Sequence, residues 1–155
     1  MRDVAAVFAK RLGALDSPLS IVVSIHLFAE YLLDRLIEAE SPLAREILRD
    51  HRTFTFAVKL ALVHHMDLVA DDLFRNPRRL NSLRNRYAHE IDVDLAHGIG
   101  RGFVDRESRV LFADSEQLRS SVRDYPDEGV RALLRIGQVT FGWLHDVVEQ
   151  HDILG

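Results

Sequence analysis

Residues 80–91, LNSLRNRYAHEI, place a guanidinium, an amide and an imidazole in one short run: Arg84, Asn85 and His89. A fixed cation can hold a phosphate and neutralise charge that develops on it, and an imidazole can give or take a proton near neutral pH. An amide between them can orient either partner. Together these are the groups needed to move a proton and stabilise an anionic phosphorane without a metal ion.

The surroundings of the run add charge of one sign. Arg75, Arg78, Arg79, Arg84 and Arg86 fall within twelve residues with no acid among them. Arg78, Arg79 and Arg86, with Asn81, are candidate substrate-binding residues, a rim that tracks phosphates. The alternative is a solvated face tied by ion pairs to Asp71 and Asp72. Arginine dominates the basic residues, with Lys10 and Lys59 the only lysines, and its planar fork suits bidentate phosphate recognition.

A helix carries these residues, and its wheel assigns their faces at roughly 100° per residue. Leu80, Leu83, Tyr87 and Ile91 form the core stripe. Asn81, Asn85 and His89, spaced i, i+4, form one polar ridge. Arg84 lies between stripe and ridge, where it can bury its stem and needs an anion for its head. That anion is either a phosphate or a carboxylate from another helix, with Glu30 the candidate. Arg86 and Glu90 point away.

RNRYAH, an Arg-Asn-x-x-x-His pattern late in a small helical bundle, resembles the signature of the HEPN superfamily. The stretch over 54–91 is also similar to the helix-loop-helix of mannitol operon repressor-like proteins, with a vaguer likeness over 18–39. The HEPN resemblance implies a homodimer whose motif helices face one cleft, and metal-independent endoribonuclease activity of the kind found in toxins and defence effectors. In that case Arg84 would bind and polarise the scissile phosphate, His89 would be the general acid or base, and Asn85 would orient the imidazole or a phosphate oxygen. The RNA 2′-hydroxyl would attack, leaving a 2′,3′-cyclic phosphate. RNA is the implied partner, with an antitoxin or regulatory protein as a further one, and neither cofactor nor metal is expected. In HEPN toxins paired with a nucleotidyltransferase antitoxin, the modified tyrosine lies two residues after the histidine. Ile91 stands there instead, which argues against control by that modification. Likeness to the repressor group implies a different class, a non-catalytic module that binds protein partners.

The elements that must position the motif are helical. Residues 2–13 have apolar residues at helical spacing and end at Gly13. After Ser17, a cap, and Pro18 in the first turn, residues 18–39 make a long helix packed on more than one side. Ser41 and Pro42 repeat the cap signal. Residues 53–74 read as one mostly apolar helix, although TFTF alone alternates like a strand. Pro77 is a breaker, after which the motif helix runs to about Ile91. Residues 92–126 change character, and a loop or small hairpin is expected there before a last long helix from Asp127. The fold class is all-α: a bundle of four to six helices with one insertion, in a single domain over residues 1–155.

Composition bounds the rest. With 47% hydrophobic and 28% charged residues the chain is globular, and at 155 residues it can bury roughly 68–70% of its unfolded surface. No cysteine is present, which removes disulfides, thiolate metal sites and a cysteine nucleophile. The net charge of −4 argues against coating nucleic acid non-specifically but allows a local basic site. Lys10 and Arg11 interrupt the first apolar run and no stretch reaches membrane-spanning length, so a cytoplasmic, non-membrane protein is expected. His26 and Glu30 share a face but supply only one histidine, so they do not make a zinc helix. Alternate glycines in HGIGRG lack the flanking strand of a dinucleotide loop. Phe141 and Trp143 sit at core spacing.

Overall fold

The structure of the protein, a computed structural model, describes residues 3–72, 74–90, 93–94, 120 and 122–151. It is an all-α bundle, and no strand occurs among the described residues. The helices described in full are α1 (Val4–Gly13), α2 (Pro18–Glu40), α3 (Ala44–Leu48), α4 (Phe56–His65), α5 (Arg75–His89) and α6 (Glu128–Gln150). The loop or hairpin expected over 92–126 falls largely outside the described residues, as do Ile91 and the HGIGRG glycines.

Local chemistry explains most of the boundaries. Asp3, Ser17, Thr55 and Asp127 each accept a hydrogen bond from a backbone N–H three residues on, which caps α1, α2, α4 and α6. The TFTF segment is therefore no strand: Thr55 is the α4 cap. Pro18 occupies the first turn of α2, where a missing N–H costs nothing. Pro77 is likewise tolerated in the first turn of α5, so the helix starts at Arg75 and the proline does not break it. Ser41 closes α2 through its N–H to Ile37, whereas α3 starts on Leu43 with no side-chain cap.

The expected long helix over 53–74 stops at His65. Asp67 adopts φ 57°, and the Leu68 N–H reaches back to Val63 O while that of Asp67 bonds His64 O. This double closure around a left-handed residue ends a helix, and aspartate tolerates that conformation better than most residues. Apolar periodicity persists past the stop because Leu68 and Val69 still pack on the core.

α2 is the central helix, contacting α6, α5, α4 and α1. Its buried residues occupy several faces, among them Ile21, Ile25, Leu32, Leu33 and Leu36. On one side Phe8 and Phe141 stack with ring centroids 4.0 Å apart, and Phe28 meets both edge-on. α6 crosses α2 at Gly137, where an added Cβ would lie 2.3 Å from Ile25 Cδ1. Glycine there allows the two backbones to approach. α5 presents Leu80 and Leu83 to this core and turns its opposite side outward, which places the motif residues at the surface.

Candidate functional site

Where α2, α4 and α5 meet, a cleft of about 610 Å³ opens, lined by His26, Glu30, His51, Phe56, Asn81, Arg84 and Asn85 among others. Most of the wall comes from helices whose other faces are fixed in the core, with His51 added by the turn before α4. His26 and Glu30 project one turn apart from α2, Phe56 stands at the start of α4, and Asn81, Arg84 and Asn85 occupy one side of α5.

His26 is the most enclosed polar group of the cleft, 6% exposed, with its ring against Phe56 at a centroid distance of 4.1 Å. Its Nε2 lies 3.3 Å from Asn81 Oδ1, so with the amide in this orientation Nε2–H donates. Burial holds the His26 pKa below its ordinary value. The Asn81 bond and the Glu30 charge oppose that effect, while the Arg84 and Lys59 charges add to it. His26 is thus a neutral imidazole at pH 7.

Arg84 and Asn85 are exposed, and Arg84 Nη1 donates to Asn85 Oδ1 at 3.3 Å. Among the described residues no carboxylate stands within ion-pair distance of Arg84. The partnership expected with Glu30 is not formed, because Glu30 accepts from Lys59 Nζ at 2.8 Å. Lys59 also contacts Asp34 at 2.8 Å and is itself fully buried. Burial alone would lower the Lys59 pKa, but its bonds to Asp34 and Glu30 outweigh that and raise it. Burial pushes the Asp34 carboxyl up, with Lys59 pulling it partly back. Glu30 is therefore anchored from beneath, and Arg84 is left as an exposed cation at the cleft mouth.

His89 is exposed but does not line this cleft. Five residues on from Arg84, it sits about 7.5 Å further along the helix and about 140° around it. Arg86 is engaged by Glu90 one turn on, its Nε and Nη2 bonding the carboxylate at 3.0–3.2 Å. Its head faces its own helix rather than the cleft. Arg78 and Arg79, with Arg75 and Ser82, line a separate pocket of about 270 Å³ at the start of α5. Asp71, weighed as an ion-pair partner for these arginines, bonds His64 Nε2 at 2.6 Å.

Two cleft residues, His26 and His51, escape a reading of the motif helix alone, as does Lys59 beneath the floor. The lone lysine inside the apolar stretch FAVKLALV is the sequence signal that a buried acid pair awaits it. His26 and Glu30 share a face as the i, i+4 spacing predicts, and they bond Asn81 and Lys59 respectively. Among the described residues, three potential metal ligands converge at His145, Asp146 and Glu149 on α6, outside the cleft. No described helix is long and apolar enough to cross a membrane.

No family model, no curated protein and no solved structure matches the chain.

Proposed function

We propose that the protein is an endoribonuclease acting at the α2–α4–α5 cleft, with Arg84 holding the scissile phosphate and His89 transferring the proton. The observation that carries this reading is the state of Arg84: a cation without a carboxylate partner among the described residues, at the mouth of a cleft whose acid, Glu30, is ion-paired from below by Lys59. An anion entering there meets a guanidinium, the Asn85 amide and the Asn81–His26 pair, all held by rigid helices.

In the proposed reaction the RNA 2′-oxygen attacks the adjacent phosphorus as its proton is removed. The bond to the 5′-oxygen breaks, and that oxygen receives a proton. Products are a 2′,3′-cyclic phosphate and a 5′-hydroxyl. Arg84 stabilises the charge on the non-bridging oxygens, while His89 serves as general acid or base. Histidine, arginine and amide groups suffice for this chemistry, so we assign no metal to it.

His89 and the cleft of its own chain face different directions, which favours a working unit of two chains. The surface for such pairing adjoins the cleft. Leu19, Val23, Leu27 and Tyr31 recur every fourth residue on α2 and are 39–52% exposed. Leu27 borders both the cleft and the apolar groove that Val7 and Tyr31 line. A second copy seated on this row would bring its own α5 towards the same opening.

The test is cleavage of a labelled mixed-sequence RNA in EDTA by the wild type, Arg84→Ala and His89→Ala. Cutting by the wild type alone supports both assignments. If none of the three cuts at high protein concentration, catalysis is refuted and the non-catalytic protein-binding module is the reading left, with the apolar row of α2 as its contact face. Equal cutting by all three would assign the activity to a contaminant.

A further inference from the structure

The arginine pocket at the start of α5 lies outside the cleft and has a construction of its own. Arg75, Arg78 and Ser82 follow one another at i, i+3 and i+7 along the outward side of α5, with Arg79 beside them. No acid stands in the first turn of this helix. The guanidiniums of Arg75 and Arg78 there face the positive end of the helix dipole, where carboxylates and other anions are favoured and cations are not. A local conflict of this kind marks a site that an anion completes.

Arg78 is also ordered in advance. Its guanidinium carbon sits 5.7 Å from the centre of the Phe74 ring. Phe74 in turn stacks on His64 at 4.4 Å, and Asp71 fixes His64 from its far edge. This run of four side chains, from Asp71 to Arg78, restrains a side chain that would otherwise lose considerable freedom on binding. Among the described residues no carboxylate forms an ion pair with Arg75 or Arg78.

We infer that this pocket is a second phosphate subsite, taking a backbone phosphate of the same RNA strand whose scissile phosphate lies at Arg84. The inference rests on the RNA-cleavage reading and deepens it, because it makes the substrate an oligonucleotide lying along α5 and not a single dinucleotide step. Arg78 and Arg75 stand six and nine residues before Arg84, roughly 9 and 14 Å along the helix axis. A few nucleotides of single strand bridge that span. Asn85 in the cleft and Ser82 in the pocket, both exposed, offer neutral hydrogen bonds at the facing edges of the two sites. RNA is favoured over an acidic protein segment because both sites present guanidiniums, whose fork matches phosphate oxygens, and a flexible single strand can wrap the roughly 120–180° of α5 that separates Arg78 and Arg75 from Arg84.

Binding of uncleavable 2′-O-methyl oligonucleotides tests this, using the wild type, Arg84→Ala and the double variant Arg75→Ala/Arg78→Ala. Circular dichroism melting confirms that each is folded; the replaced side chains are exposed. Each phosphate contact on a single strand releases roughly 0.7 of a counterion, so losing one costs about 5-fold in affinity at 0.1 M salt. The double variant, which loses that one contact, should bind an octanucleotide about 5-fold more weakly, with a salt slope shallower by about 0.7. Its binding of a dinucleotide, followed by NMR titration, should be unchanged.

Equal loss for the dinucleotide and the octanucleotide would overturn a separate subsite. An octanucleotide weakened by Arg84→Ala but untouched by the double variant would overturn the subsite and leave the cleavage reading standing. Failure of the wild type to bind any octanucleotide removes both. If a poly-glutamate peptide binds the wild type and loses affinity in the double variant while the octanucleotide does not, the pocket serves an acidic protein and the inference is wrong.

Discussion

Replacing Lys59 by methionine tests the electrostatic floor of the cleft. Lys59 is fully buried and stands 2.8 Å from both Glu30 and Asp34. Methionine keeps most of the volume and removes the charge, leaving two carboxylates facing each other. Removing one partner of a buried ion pair costs about 3–5 kcal/mol. Here the carboxylates retain 23% and 26% exposure, so water recovers part of the loss and about 2–3 kcal/mol is expected at pH 7. For a chain of this size that corresponds to a melting temperature lower by about 4–12 °C.

The pH dependence gives the sharper signature. Asp34 has its folded pKa raised, so between its unfolded and folded values the native state binds more protons. Stability from this group therefore falls as pH rises through that window and returns on acidification. Lys59 holds the Asp34 carboxyl down, so its loss widens the window. The deficit of Lys59→Met should be largest at neutral pH and shrink as pH falls towards the ordinary carboxylate range. At the alkaline end, the raised pKa of Lys59 means that its contribution is present below its ordinary 10.5 and lost as pH rises through the folded value. The variant should lack that alkaline loss. Urea titrations across pH measure both limbs. A deficit below about 1 kcal/mol at pH 7, or one that does not shrink with acid, would refute the buried-triad account. Adding Glu30→Gln and Asp34→Asn to Lys59→Met should recover most of the stability.

Other perturbations have equally definite outcomes. Gly137→Ala drives a Cβ into Ile25: overpacking of about 1–3 kcal/mol opposes the gain of about 1 kcal/mol in helix propensity, for a net loss of up to about 2 kcal/mol by urea denaturation. Ile25→Val in the same chain should restore part of it, and strict additivity would contradict the close crossing. His26 is held neutral by burial, so its contribution to stability is present above its ordinary 6.5 and lost as pH falls below it. Asn81→Ala removes the bond that raises the His26 pKa, so NMR titration of the ring should move to still lower pH, and an upward shift would refute the assigned contact. If the proposed pairing across α2 holds, the wild type sediments as a dimer and Leu27→Glu with Tyr31→Glu sediments as a monomer without RNA cleavage; a monomeric wild type, or a stable dimer in this variant, would refute the pairing surface.

Much of the fold was legible from local chemistry. The cap at Ser17, the start of the last helix at about Asp127 and the apolar circumference of α2 each follow from residue type and spacing, and the structure carries them. The wheel of α5 also holds, with Leu80 and Leu83 buried and Arg84 at the surface. The misreadings came from signals with two meanings. Apolar spacing continued past His65 although the backbone reversed at Asp67, because loop residues Leu68 and Val69 pack inward as helix residues would. Pro77 reads as a breaker unless the helix start is known, since a proline is harmless in the first turn. The partner of Glu30 depends on which buried cation α4 delivers, and helix-to-helix geometry is not written in periodicity. His26 was visible only as half of an incomplete metal pair. Its place in the cleft depends on how α2 and α5 face each other.

The most direct test of the central claim uses one RNA with a single 2′-deoxy substitution at an established cut site, incubated in EDTA with the wild type beside its all-ribo parent. Attack by the 2′-hydroxyl predicts a cyclic-phosphate end from the parent and no cut at the substituted position, with other sites unaffected. Continued cutting at the deoxy position, leaving a 3′-hydroxyl, would contradict the mechanism assigned to Arg84 and His89.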